Sequence, residues 1–104
     1  MNLIELEDML KQTSYPVKYS HFEKPVKVPY ITYINSNTNN FIADNIVYKK
    51  ISDVQIELYT RKKDLGVEEK LEKLLDENEL AYETSEVWIE EERLFQKIYE
   101  VRLI

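Results

Sequence analysis

The chain has 104 residues, with twenty acids against fourteen bases (net charge −6), one glycine and no cysteine. This balance argues against a phosphate backbone as the main ligand, and the missing cysteines exclude disulfides and thiolate sites. Hydrophobic residues at 43% and charged residues at 33% fit a globular protein, and no apolar run nears the roughly 18 residues of a membrane span. Met1 to Leu10 alternates acid with aliphatic, unlike a secretory leader, so a single intracellular domain over residues 1–104 is expected.

Asn2 followed by Glu5 has the form of a capping box, and Leu3, Leu6, Met9 and Leu10 make an apolar stripe. The pair predicts a helix from about Leu3 to Gln12. Val17 to Phe22 reads as a short strand, and Pro25 to Pro29 as an extended connection, because proline cannot donate to a sheet ladder. Tyr30 to Asn35 is aromatic and β-branched, hence a strand, and Ser36 to Asn40 reads as a polar turn. Phe41 to Ala43 and Ile46 to Tyr48 flank Asp44-Asn45, a pair that tolerates the positive φ of a tight hairpin.

Val54, Ile56 and Leu58 alternate with Gln55, Glu57 and Tyr59, giving a strand with one aliphatic face. After the basic turn Arg61-Lys62-Lys63, Asp64 stands as N-cap to a helix over Leu65 to Glu77. Val67, Leu71, Leu74 and Leu75 form its stripe, Glu68 and Glu69 favour its positive end, and Asn78 ends it. Leu80 to Ile89 reads as a strand interrupted near Ser85, Glu90 to Glu92 as a charged turn, and Phe95 to Leu103 as a last strand with Phe95, Tyr99, Val101 and Leu103 on one face. The sum is an α+β fold: a twisted, mainly antiparallel sheet with two helices packed on one face.

Chemistry-bearing residues are sparse. His21 is the lone histidine, and its nearest acid, Glu23, offers no ligand or general-base motif. Glu86, Glu90, Glu91 and Glu92 lack the spacing and glycine of a calcium loop, so no metal, cofactor or catalytic residue is expected and the chain reads as a non-enzyme. The eight tyrosines, with large apolar rings and polar tips, suit either strand surfaces or interfaces. In Val87-Trp88-Ile89 the three side chains cannot share one face of a strand. Either Trp88 or the aliphatic pair must then be covered by something beyond the helix layer, such as a neighbouring subunit.

The blocks Pro29-Tyr30-Ile31-Thr32-Tyr33, Asn40-Phe41-Ile42-Ala43-Asp44-Asn45 with Tyr48, and Gln55-Ile56-Glu57-Leu58-Tyr59-Thr60 with Lys63-Asp64 resemble the small tail-completion and neck proteins of long-tailed bacteriophages and Gram-positive prophages. The Glu-Lys-Leu-Glu helix, Tyr82-Glu83 and the closing Tyr99-Glu100 strand are similar to the same group, so the resemblance covers most of the chain. It implies a structural protein of the virion, a tail terminator with a mixed sheet and helices on one side. Such a protein acts as a hexameric ring that caps the tail tube, contacting tail-tube and head-closure proteins. DNA would pass through the ring without sequence recognition, repelled by an acidic lumen, and no membrane is involved. Interface residues expected on this basis are Asn40, Phe41, Asp44, Asn45, Tyr59, Arg61, Lys62 and Trp88. The alternatives are a head-closure or connector protein of the neck, or a small acidic binding module such as an antitoxin.

Overall fold

The computed structural model describes residues 1–43 and 46–103, with 37–43 and 46–51 described by backbone alone. Helix α1 (Leu3–Lys11) begins at the expected capping box: Asn2 Oδ1 accepts from the Glu5 amide at 2.8 Å, and Glu5 accepts back from the Asn2 amide at 3.0 Å. Its stripe buries Leu6, Met9 and Leu10, while Ile4 on the opposite side is 74% exposed. Short strand β1 (Val17–Tyr19) follows, then the long strands β2 (Tyr30–Ala43) and β3 (Ile46–Thr60). Helix α2 (Leu65–Glu77), β4 (Tyr82–Ile89) and β5 (Leu94–Leu103) complete the chain.

Asp64 caps α2 by accepting from the Val67 amide, and the helix closes with the Leu80 amide bonded to the Leu75 carbonyl and the Glu79 amide to that of Asp76. This paired closure needs a left-handed residue, which glycine usually supplies. Here Glu79 takes it, with φ 57°.

The strand order is β1-β2-β3-β5-β4, with β1 parallel to β2 and the other neighbours antiparallel. Register aligns Ile31 with Leu58 and Lys97, and Tyr33 with Ile56 and Tyr99, so these residues share one face. That face carries the core: Ile31, Val54, Ile56, Leu58, Tyr99, Val101 and Leu103 are buried together with Leu71 and Leu75 of α2 and the α1 stripe. Tyr33 Oη donates to Glu7 of α1 at 3.0 Å and Tyr99 Oη to Glu72 of α2 at 2.7 Å. Both helices therefore lie on the same side of the sheet, as the alternation required.

The structure departs from the sequence reading in β1, β2 and β4. Strand β1 stops at Tyr19, because Ser20 turns the chain with φ 67° after its amide bonds to the Tyr33 carbonyl. Strand β2 runs through Ser36 to Asn40, where a turn was expected. Its backbone pairs with β3 from Asn37↔Asp53 to Ala43↔Ile46, with register shifts after Asn35 and Phe41. A ladder is made by backbone N–H and C=O groups, so polar side chains do not prevent it. Strand β4 is unbroken at Ser85, which pairs with Ile98.

Strand β5 accompanies β3 only as far as Ser52↔Leu103. Among the described residues, beyond that point β2 and β3 pair only with each other, as a two-stranded ribbon. From Ile51 to Ile46 it reaches about 20 Å at roughly 3.3 Å per residue.

Candidate functional site

The expected interface residues fall at the two ends of the β2–β3 hairpin. Tyr59, Arg61 and Trp88 converge at the end where the strands meet the loops. Asn40 and Phe41 sit in the ribbon, opposite Lys50 and Lys49. Asp44 and Asn45 lie outside the described residues.

At the loop end, Tyr59 stacks on Tyr30 with ring centroids 4.7 Å apart and 20° between planes, and Phe22 meets Tyr30 edge-on at 5.4 Å. Cross-strand register puts Tyr30 directly opposite Tyr59, so the stack follows from the hairpin itself. Burial raises the pKa of both phenols, so they remain neutral donors and acceptors at ordinary pH. Gln96 Nε2 donates to Tyr59 Oη at 2.9 Å and to Glu57 at 3.1 Å, and Thr32 and Gln55 donate to Glu57 as well. These groups occupy the sheet face opposite the helices. The 20–26 loop overhangs one end of that face and makes a groove against Tyr30, Tyr59 and Ile89.

A second depression joins the first at Val26 and Tyr30 and holds Arg61, Trp88, Glu91 and Leu94. Trp88 points to the helix side, opposite Phe95, and is 47% exposed. Its Nε1 donates to Glu90. Val87 is 43% exposed on the other face, so neither face fully covers this run within the subunit. Arg61 and Lys62 are both exposed in the turn after β3.

The most deeply buried charged group among the described residues was not foreseen. Glu68 is 3% exposed, and one of its oxygens accepts from Lys97 at 2.8 Å and from Lys63 at 2.9 Å. Lys63 also binds Glu86, and Lys97 reaches Glu72 at 3.5 Å. Burial pushes the Glu68 carboxyl up, but the hydrogen bonds and charges of Lys97 and Lys63 outweigh it and hold its pKa below the usual carboxylate value. Buried charges of this kind are paired because an isolated one would be too costly. The network ties the start of α2 to β4 and β5. The signal was readable: Lys97 interrupts the apolar face of β5, and Glu68 sits beside the α2 stripe that packs over it.

His21 lies in the open. Its Nδ1 is 3.1 Å from Ser20 Oγ, and its Nε2 is 3.6 Å from Glu23, whose side chain is 84% exposed. Among the described residues no group of three or more His, Cys, Asp or Glu is arranged to hold a metal ion. No helix is long and apolar enough to cross a membrane.

No protein-family model matches the sequence, and a comparison with curated proteins found no match.

Proposed function

We propose that the chain is a structural protein of phage morphogenesis, a tail terminator that completes the tail and joins it to the head. The reading rests on the resemblance carried by the Pro29–Tyr33, Asn40–Asn45 and Gln55–Thr60 blocks. The observation that supports it best is that these blocks belong to one hairpin, β2–β3, whose far half leaves the sheet as a ribbon with no helix or further strand beside it among the described residues. A two-stranded ribbon is at best marginal alone in water and gains stability from what it packs against.

The exposed features are suited to contact more than to chemistry. The aromatic end with Tyr30, Tyr59 and Trp88 is rich in residue types enriched at interfaces, and its rim carries Arg61, Glu91 and Glu92. Rim charges chiefly set docking rate and specificity. The α+β architecture, with helices on one side of a mixed sheet, agrees with what the resemblance implies.

The test is deletion of the coding sequence from the phage or prophage genome that carries it, followed by complementation. Infectious titre should collapse by orders of magnitude and return when the chain is supplied from a plasmid. An unchanged titre after deletion overturns the proposal.

A further inference from the structure

We propose that the β2–β3 ribbon of one copy adds as a strand to the exposed β4 edge of the next copy, its Ile46 to Ile51 segment pairing with Tyr82 to Ile89. The inference deepens the ring reading above and rests on it for its biological setting.

The sheet has two edges, and they are treated differently. At one, β1 spans only Val17–Tyr19, a length too short to template much pairing. At the other, β4 runs unbroken in register from Tyr82↔Val101 to Ile89↔Leu94. Natural edges are blunted by proline, charged side chains, bulges or brevity. Strand β4 contains no proline or glycine, has no register shift, and exposes Val87 and Trp88. Its only charges are the acids Glu83 and Glu86, which favour a basic strand over an acidic one. Among the described residues β4 pairs with β5 alone, which leaves one backbone side of the strand as an open row of donors and acceptors. On the β3 side of the ribbon no strand is paired among the described residues, the last pair with β5 being Ser52↔Leu103. The lengths agree, with about 20 Å of ribbon edge against about 26 Å of β4 at roughly 3.3 Å per residue.

Charge selects between partners. Register places Glu83 directly opposite Glu100 on adjacent strands, both exposed, and neither forms an ion pair among the described residues. A facing pair of like charges is unfavourable until a cation arrives. Strand β4 then leads into Glu90, Glu91 and Glu92. The ribbon segment carries Lys49 and Lys50 and no acid from Ile46 to Ile51. A basic ribbon and an acidic edge on the same chain are complementary between copies. Because ribbon and edge are different surfaces, the contact is head-to-tail and propagates around a ring or along a filament.

The chain has no cysteine, so introduced ones report without background. Tyr48→Cys and Ser85→Cys sit near the middle of each segment and approach each other whichever way the strands run. The concentrated double variant, treated with a bismaleimide of about 10 Å span, should give a ladder of covalent multimers, and mixed-copy controls with one cysteine each should give dimers only. Lys49→Glu with Lys50→Glu should abolish the ladder, and adding Glu83→Lys with Glu100→Lys should restore it. A folded double-cysteine protein that remains monomeric, or a ladder indifferent to charge reversal, overturns the pairing. The outcome also separates the two readings. A ladder that stops at a fixed multiple supports the ring, whereas an endless one keeps the pairing and removes the ring.

Discussion

Leu71→Ala measures how far the helix layer is bound to the sheet. Leu71 is fully buried in the same cluster as Leu58, Tyr99 and Leu75. The substitution removes three carbon atoms from that cluster. At about 0.8 kcal/mol per buried carbon, the transfer loss is about 2.4 kcal/mol. The cavity left behind raises the total, and the expected range is about 2.5 to 5 kcal/mol, the upper end applying if α2 cannot settle toward the sheet. For a domain of this size that lowers Tm by on the order of 10 °C or more. Urea denaturation followed by circular dichroism would read the loss as a lower midpoint with an unchanged slope. Ile4→Ala on the exposed side of α1 is the control and should change stability by less than about 0.5 kcal/mol. A Leu71→Ala midpoint equal to wild type would refute the placement of α2 over the sheet.

Three further outcomes are expected. Glu68→Gln should cost about 1.5 to 3 kcal/mol near neutral pH, since hydrogen bonds to a charged group are lost. Because the folded pKa of Glu68 lies below its ordinary value of 4.5, its contribution is present above that pH and is lost as pH falls through the folded pKa, so the gap between wild type and variant should narrow in acid melts. Arg61→Glu with Lys62→Glu, both on the exposed turn, should leave the melting curve in place while blocking particle completion, and normal particle yield would remove this turn from the interface. His21→Ala should preserve both folding and infectious titre, because the ring is solvent-exposed and its polar contacts among the described residues are to the Ser20 hydroxyl and the exposed Glu23 carboxylate, and a folded variant with no titre would contradict this.

The elements legible in the sequence were those where one physical rule acts alone. The Asn2–Glu5 capping box marks a helix start through its own hydrogen bonds, and the Val67-Leu71-Leu75 stripe and the Val54-Ile56-Leu58 alternation each mark a surface buried on one side only. Strand β2 past Asn35 was illegible because Ser36 to Asn40 is uniformly polar, and its partner is set by register with β3, not by a hydrophobic face. The same holds at Glu83 to Glu86 on β4, an edge where neither side is deeply buried and alternation fades. The parallel pairing of β1 with β2 depends on a connection whose path no local signal specifies. At the candidate site, the Val87-Trp88-Ile89 conflict was visible in sequence, and the structure leaves Trp88 and Val87 exposed on opposite faces. What sequence spacing could not convey is that Asn40 and Tyr59 sit toward opposite ends of one hairpin. Their separation along the strands places the expected contacts on two surfaces.

The most direct measurement is electron microscopy of lysates from the genome with this coding sequence deleted. The account predicts full heads beside unjoined or overlong tails, with normal particles restored by complementation. Virions of normal tail length, joined to their heads without the protein, would contradict it.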